Sequence, residues 1–338
     1  MTARESNRSV DFQVAGASRA GGYRAGRPAA IERHGAKPAE NPVRMKVLVH
    51  LGVHKTATTF IQSQLANNRQ ALAEQGFGMA GIWAVRGRFT NRFDRLAWFD
   101  PVWRFLTRPA LRRRLDGLMR ESGEVGTFLL SDENLAGTIA ANYLFGRLYP
   151  WIGMRARILS GLLAAHDLHV FLCIRRYPDY LVSSWLQLAS KGKPPPFEKY
   201  VEKFPPEGRG WAEVVADLAA AVGPGRLTVW TYDWFAEDPQ RVFALLAPGT
   251  DFVLAEEELK REILPSLTIK GLNVVSLLEE HLSRPELRRM SRLIRNFEFD
   301  EPNPRLEIAD PGLLAAYDAR YRKDLESIRA LGVTLFAA

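Results

Sequence analysis

The sequence predicts an α/β protein whose central parallel β-sheet is flanked by helices on both faces and followed by a helical C-terminal part. From Met45 onward, short apolar runs alternate with longer amphipathic stretches. The apolar runs are continuous, which is typical of strands buried on both faces. Polar clusters follow these runs at the carboxyl ends of the predicted strands, where parallel sheets bind their ligands.

Four apolar runs define the predicted sheet. The strands are KVLVHLG (46–52), GTFLLSDEN (126–134), LHVFLCIRR (168–176) and RLTVWTYD (226–233). Helices are predicted over 58–75, over about 179–190, after Asp238-Pro239, and through most of the chain beyond about Glu257. Two stretches interrupt the alternation, the aromatic and arginine-rich 77–117 and the proline-rich 191–210. Long excursions of this kind are often functional, so we expect both to line a ligand site.

Residues 1–44 differ in composition and are predicted to be a disordered basic arm, which leaves 45–338 as a single domain. The arm contains eight Lys or Arg and four Asp or Glu, a net charge of +4 within the chain's +8. Since half of the excess lies there, no nucleic-acid partner is predicted from the basic composition. Two further interpretations stay open: Met45 as an alternative start, and a mitochondrial presequence, against which the acidic residues count.

The 338-residue chain has one cysteine, Cys173, in the apolar run HVFLC, which predicts a buried structural thiol. Its six histidines show no metal-ligand spacing, so no metal site is predicted. No segment contains 18 uninterrupted apolar residues, and the N-terminus has no apolar signal region. We therefore expect a cytoplasmic protein without a transmembrane segment.

The stretch HLGVHKTATTF (50–60) joins the first predicted strand to the first predicted helix. Such a turn presents backbone N–H groups at a helix N-terminus, where the helix dipole favours an anion. Gly52 allows a tight turn and Lys55 can project into the anion. Three threonine hydroxyls can donate to it (Thr56, Thr58, Thr59). Lys55 follows Gly52 by three residues, without the second glycine of G-x-x-x-x-G-K-[ST], so we predict a P-loop-like turn for a smaller anionic group.

This turn resembles the 5′-phosphosulfate loop of the PAPS-dependent sulfotransferases, the bacterial, carbohydrate-type members in particular. The family pattern is approximately [PH]-K-[ST]-[GA]-[ST]-[ST]-x-[LI]-Q, and HKTATTFIQ (54–62) is similar to it. Ala57 stands where many members have glycine. We expect Ala57 to take a helical conformation, in which its methyl group is tolerated close to the anion. The resemblance implies that Gly52 and the residues from Lys55 to Thr59 bind the cofactor.

A second motif of the same family lies in CIRRYPDYLVSSW (173–185), after the third predicted strand. It supplies an Arg-x-Pro segment with a serine eight residues beyond the arginine. The resemblance implies that Arg176 and Ser184 hold the 3′-phosphate of the cofactor. Arg175 either shares this role or faces solvent. A forked guanidinium is suited to a phosphate group, which agrees with the assignment.

The resemblance further implies transfer of a sulfonate group from PAPS (3′-phosphoadenosine 5′-phosphosulfate) to a hydroxyl or amine, leaving adenosine 3′,5′-bisphosphate. Lys55 would neutralise charge on the leaving phosphate. Glu133 is the first candidate for the general base, because bacterial members often carry a similar S-[SD]-E segment and carbohydrate-type members use a glutamate. Alternatively, Ser131 to Asn134 cap the next helix. His54 is the second candidate, or shapes the loop, and Asp132 is the third.

Contacts nearer the C-terminus and the acceptor are less defined by the sequence. LPSLTIKGLN (264–273) is similar to an N-x-S-L segment of related bacterial proteins, which implies cofactor contacts for Ser266 and Lys270. The excursions 77–117 and 191–210 are expected to line the site of a carbohydrate, glycolipid or small-molecule acceptor. Three tryptophans of the first excursion can stack on sugar rings or pack in the core (Trp83, Trp98, Trp103).

Two other functions remain open at this stage. A kinase or other P-loop phosphotransferase would use the Lys55 loop to bind ATP with magnesium, but the second glycine is missing. A non-catalytic protein would use the same loop to sense an anion or nucleotide. The sequence favours the sulfotransferase because two separate motifs, both at strand-to-helix junctions, resemble the same family.

Overall fold

The parallel sheet is formed by the apolar runs, as predicted. The computed structural model describes residues 44–96, 101–190, 194–254, 267–295, 297 and 306–338, without the side chains of 96, 101–106 and 284. The predicted arm 1–44 therefore lies outside the described residues, except for Arg44. A compact unit spans Val43–Ala338. Six parallel strands among the described residues lie in the order β2-β3-β1-β4-β5-β6.

The four predicted strands are confirmed, and two short ones are added. The strands are β1 (Lys46–His50), β2 (Phe77–Met79), β3 (Thr127–Ser131), β4 (Asp167–Ile174), β5 (Leu227–Thr231) and β6 (Thr334–Phe336). β1, β3, β4 and β5 each end two or three residues before the predicted end, where the chain leaves the sheet. β2 and β6 have three residues each, too few for a pattern that predicts a strand.

Helices connect these strands. They are α1 (Thr58–Asn67), α2 (Arg69–Glu74), α3 (Ile82–Val85), α4 (Asn91–Leu96), α5 (Pro101–Arg120), α6 (Ile139–Phe145), α7 (Ile152–Leu162), α8 (Tyr177–Ala189), α9 (Phe197–Val201), α10 (Trp211–Val222), α11 (Tyr232–Glu237), α12 (Gln240–Leu246), α13 (Ile269–Leu278), α14 (Arg284–Arg295) and α15 (Pro311–Ala330). A π-helical turn spans Arg86–Thr90, and 3₁₀ turns span Glu133–Leu135 and Pro224–Arg226.

One helix prediction and the interpretation of 77–117 need correction. The predicted helix 58–75 is interrupted at Asn68, which separates α1 from α2. The stretch 77–117 is not an irregular excursion, because it contains β2, α3, the π-helical turn, α4 and most of α5. α5 continues through Pro109, a residue that ordinarily predicts a helix end. The helical C-terminal part is confirmed by α13, α14 and α15.

Each side of the sheet packs against its own hydrophobic core. Val47 and Val49 of β1 contact the first core, which includes apolar side chains of α7, α8 and α10. Leu48 points to the other face and packs with α1 and α12. All three are essentially inaccessible to solvent, and each contributes about 1.5–3 kcal/mol by burial. This alternation confirms the prediction of helices on both faces.

Cys173 lies in the second core and is fully buried, as predicted. Burial raises the pKa of its thiol, which keeps the group protonated. None of the described helices combines the length and the apolar character that crossing a membrane requires.

Candidate active site

The loop between β1 and α1 has an unusual backbone. Gly52, Lys55 and Ala57 all have positive φ values, of 46°, 69° and 59°. Successive residues of mixed handedness produce turns whose N–H groups converge on an anion. Ala57 is the N-cap of α1, and no side chain of the described residues caps this helix. Its first N–H groups are therefore left for a ligand.

The conformation of Ala57 corrects the prediction made for it. A φ of 59° is left-handed, not helical, and this region costs a residue with a β-carbon about 1–2 kcal/mol. Glycine carries no such cost, which gives a physical reason why many members of the family that the motif resembles have glycine at this position. At Gly52 the requirement is stricter, since a β-carbon there would lie 2.6 Å from Thr58 Oγ1.

The threonines of the loop differ in exposure. Thr56 is fully buried, and its hydroxyl donates to the carbonyl of Val53 at 2.6 Å. The hydroxyl of Thr58, also buried, lies 3.5 Å from the same carbonyl. Thr59 is exposed at the start of α1. In this structure Thr56 therefore fixes the shape of the loop, and Thr59 is the threonine placed to meet a ligand.

Lys55 lies in a concentration of positive charge. Burial is the main cause that lowers the pKa of Lys55 to about 8, and the charges of Arg295 and Arg175 lower it further. Glu133 acts in the opposite direction. Within the described residues the Lys55 ammonium makes no hydrogen bond or ion pair. An anion bound here would relieve the repulsion among the three cations.

Arg175, which the sequence left undecided, contacts the loop directly. Its Nη1 donates to the Lys55 carbonyl at 2.8 Å and lies 3.4 Å from Ser183 Oγ. The guanidinium also stacks over Tyr232, 4.4 Å from the ring centroid. Its Nε is buried without a partner in the described part of the chain. Arg175 therefore supports the lysine backbone and brings its charge to the loop.

Arg176 and Ser184 point in other directions. Arg176, the N-cap of α8, is 46% exposed and forms an ion pair with Asp318 at 2.8 Å. Ser184 is fully buried; its hydroxyl donates to the carbonyl of Tyr180 at 2.7 Å and lies 2.8 Å from Tyr200 Oη. In this structure the Ser184 hydroxyl is directed to the helix backbone and to Tyr200, and its assignment to the 3′-phosphate stays a prediction. One residue earlier, Ser183 faces Arg175.

Glu133 lies beside the loop, at the end of β3, which pairs with β1. Arg86 donates to Glu133 Oε1 at 2.8 Å and to Asp132 Oδ1 through Nη2 at 3.1 Å and Nε at 3.2 Å. Asp132 Oδ1 also accepts from the N–H of Asn134, so Asp132 is the N-cap of the 3₁₀ turn. Asp132 thus caps the 3₁₀ turn, whereas Thr138 caps α6, and the Glu133 side chain is 18% exposed.

Arg86 was not predicted as a site residue. It begins the π-helical turn, and such turns often occur at functional sites. Asp132 is fully buried, and burial is the main cause that raises its pKa, with the Arg86 charge acting against it. Arg86 therefore provides the positive charge that the adjacent, largely buried carboxylates of Asp132 and Glu133 require.

His54 is held on both sides of its ring. Nδ1 lies 3.1 Å from the Tyr149 hydroxyl, and Nε2 lies 3.3 Å from Asn134 Oδ1. Tyr149 Oη accepts from the His54 N–H at 3.0 Å and from the Tyr180 hydroxyl at 3.3 Å, so its own proton is directed to Nδ1. The amide oxygen of Asn134 requires a proton on Nε2. These contacts agree with the alternative that His54 shapes the loop.

The floor of the site contains a second histidine that the sequence did not indicate. His50 is fully buried at the end of β1, with Nδ1 3.0 Å from Ser131 Oγ. Burial lowers the pKa of His50 to about 4, so its ring is neutral at physiological pH. Gln62 donates to the carbonyl and the hydroxyl of Ser131 at 3.2 Å. These contacts join β1, β3 and α1 beneath the loop.

The C-terminal part contributes Arg295, at the end of α14, which sequence reasoning missed. Its Nε is buried without a partner in the described part of the chain, and burial lowers its pKa. Lys270 lies in the first turn of α13, which Thr268 caps. The prediction for Ser266 falls outside the described residues, as do those for the side chains of Trp98 and Trp103. Trp83 is 80% exposed, on α3.

Among the described residues, no group of three or more His, Cys, Asp or Glu side chains is placed to hold a metal ion. Comparison of the chain with protein-family models gives no match, and comparison with curated proteins gives no match either. The functional assignment therefore rests on the two motifs and on the arrangement of side chains around the Lys55 loop.

Proposed function

We propose that the protein is a PAPS-dependent sulfotransferase that moves a sulfonate group to a hydroxyl or amine of a carbohydrate or glycolipid acceptor. The observation that carries the proposal is the uncapped, left-handed loop around Lys55, where Arg175 and Arg295 add positive charge. A loop of this kind is suited to the 5′-phosphosulfate of the donor. The resemblance of 54–62 and 173–185 to the two family motifs gives the donor its identity.

Donor binding is assigned to the loop and to the end of β4. The 5′-phosphosulfate lies at the N-terminus of α1, where Thr59 and the backbone N–H groups donate to it and Lys55 supplies charge. Arg175 holds the Lys55 backbone in place. Arg176 leaves its exposed ion pair with Asp318 to bind the 3′-phosphate, because a surface pair of this kind is worth only about 0–1 kcal/mol.

The transfer is an in-line displacement. An acceptor oxygen or nitrogen attacks the sulfur, the bond from sulfur to the phosphate oxygen breaks, and the acceptor proton passes to a base. Lys55 neutralises the charge that develops on the leaving phosphate oxygen. With a pKa of about 8, Lys55 is mostly protonated at pH 7, and a bound anion favours the charged form further.

Glu133 is the better candidate for the base. It is partly exposed at 18%, its charge acts on Lys55, and Arg86 holds one oxygen at 2.8 Å. Its other oxygen, Oε2, is buried and has no hydrogen-bond partner in the described structure. His54 is 5% exposed, and both of its ring nitrogens lie within hydrogen-bond distance of neighbouring side chains. A base needs a free acceptor atom for the proton, which favours Glu133 Oε2 over the engaged ring nitrogens of His54.

Trp83 supports a carbohydrate acceptor. An indole that is 80% exposed contributes little to a core, and it lies three residues before Arg86 in the same helical segment. Aromatic rings of this kind offer an apolar surface on which a sugar ring can stack. The residues from α3 to the π-helical turn thus combine a stacking surface with the arginine that holds the proposed base.

The experiment is a transfer assay with sulfur-labelled PAPS and a panel of oligosaccharide, glycolipid and aryl-alcohol acceptors. A parallel arm uses γ-labelled ATP with magnesium and the same panel. We expect label from PAPS only, and its loss in Lys55→Ala but not in Lys46→Ala, which removes an exposed lysine at the start of the strand before the loop. Label from ATP without label from PAPS would replace the proposal with a kinase.

A further inference from the structure

A groove on the surface of α5 is lined mainly by arginines. Its volume is about 480 Å3, and four guanidinium groups face it, from Arg88, Arg113, Arg114 and Arg120. Arg88 comes from the π-helical turn, and the other three come from the last three turns of α5. Glu121 is the single acidic residue among the described residues of the lining. The groove is shallow and open to solvent, so it suits a charged group at the surface and does not enclose a ligand.

Positive charge in this groove is incompletely balanced. Glu121 forms an ion pair with Arg88. Within the described part of the chain, no hydrogen bond or ion pair engages the guanidinium groups of Arg113, Arg114 or Arg120. Guanidinium groups that share a concave surface repel one another, and an anion between them converts that repulsion into attraction.

Gly117 shows how closely two of these groups approach each other. A β-carbon at this position would lie 3.2 Å from Arg88 Nη2 and 4.0 Å from Arg120 Nη2. Two guanidinium groups from different helical segments therefore converge on the space that a side chain at position 117 would occupy. A glycine inside a helix costs about 1 kcal/mol relative to alanine, so this open space is maintained at the expense of helix stability.

The groove is separate from the Lys55 loop. None of its lining residues belongs to the loop, and Arg120 and Glu121, at the end of α5, lie shortly before the amino end of β3. The loop and Glu133 lie at the opposite, carboxyl ends of β1 and β3. The groove therefore has no part in the donor site described above.

We propose that this groove is a second anion-binding site, which takes a phosphate or sulfate ester group of a multivalent anionic ligand. Guanidinium groups provide forked donors that match the oxygens of both esters, and two of them converge on one point above Gly117. The site does not depend on the nature of the reaction at Lys55. It binds its ligand whether or not the protein is a sulfotransferase.

The test is calorimetry on the full chain carrying Lys55→Ala, so that binding at the loop does not contribute. One arm uses inorganic pyrophosphate and the other a disulfated disaccharide, which separates a phosphate source from a sulfate source. We expect at least one to bind. Arg120→Gln and Arg114→Gln should each weaken that binding about tenfold or more.

Two further variants distinguish a built site from general surface charge. Arg112→Gln removes an exposed arginine of α5 that does not line the groove, and should change the affinity by less than about twofold. Gly117→Leu keeps every charge but fills the space between the guanidinium groups, and should weaken binding about tenfold. Absence of binding by both probes, or equal losses in Arg112→Gln and Arg120→Gln, would overturn the proposal.

Discussion

Replacing Lys55 by methionine should stabilise the protein while removing donor binding. Methionine keeps the β-carbon and a side chain of similar length. The strain of the left-handed backbone at position 55 is therefore the same in both proteins and cancels when their stabilities are compared. What disappears is a partly buried ammonium group next to Arg175 and Arg295. Without a bound anion, this charged group destabilises the folded protein. We propose that it is retained because it binds the anion.

The magnitude follows from the pKa of Lys55. It is about 8 in the folded protein, against 10.5 for an unperturbed lysine. Each pKa unit corresponds to about 1.36 kcal/mol. The charge on Lys55 therefore lowers the free energy of unfolding by roughly 2–3 kcal/mol after allowance for solvent screening. Because the folded pKa is lowered, this loss is fully present below pH 8. It decreases as the pH rises and vanishes above 10.5, where the unfolded chain also loses the proton.

The assay is urea denaturation of the wild type and Lys55→Met at pH 7 and at pH 9.5. Lys55→Met should be more stable by roughly 2–3 kcal/mol at pH 7, and the difference should be clearly smaller at pH 9.5. Lys46→Met is the matched control, since Lys46 is exposed on the strand before the loop. Equal stability of wild type and Lys55→Met at pH 7, or a difference independent of pH, would refute the reasoning.

Three further predictions concern the proposed reaction. At pH 8, binding of adenosine 3′,5′-bisphosphate should take up about half a proton as Lys55 becomes charged, whereas Lys55 should contribute almost none at pH 6.5; titrations in two buffers of different ionisation enthalpy measure this, and no uptake at pH 8 contradicts it. Arg175→Ala should weaken the binding of the bisphosphate and of 5′-AMP alike by about tenfold, because Arg175 holds the loop. Arg176→Ala should weaken the binding of the bisphosphate only, and the same pattern in both variants would argue against separate roles. Glu133→Gln should lower the transfer rate by about 10²-fold or more with an unchanged bisphosphate affinity, and a rate near that of the wild type would exclude Glu133 as the base.

The fold follows from the sequence where apolar runs are long enough. β1, β3, β4 and β5 have five to eight residues each, and their continuous hydrophobicity predicts a parallel sheet. β2 has three residues, FGM, and becomes a strand only because β3 offers it an edge to pair with. The helices of 77–117 were missed because Pro109 and interspersed glycines and arginines obscure the helical period.

The candidate site was predictable where one segment determines it. Gly52 and Lys55 belong to a single strand-to-helix turn, so spacing alone indicates an anion loop. The choice between Ser183 and Ser184 is different, since adjacent residues on a helix point about 100° apart. Only the packing of α8 on Tyr200 determines which hydroxyl faces the loop. Arg295 lies in an arginine-rich helix whose members look alike in sequence, and tertiary packing alone brings it to Lys55.

The most direct test of the account is a calorimetric titration of the wild-type protein with adenosine 3′,5′-bisphosphate, 5′-AMP and ATP with magnesium. This measurement needs no acceptor, so it examines the donor site alone. We predict that the bisphosphate binds with a micromolar dissociation constant, and that removal of its 3′-phosphate weakens binding about tenfold or more. Equal affinity for the bisphosphate and 5′-AMP, or preferential binding of ATP with magnesium, would contradict the assignment of the Lys55 loop to a phosphosulfate donor.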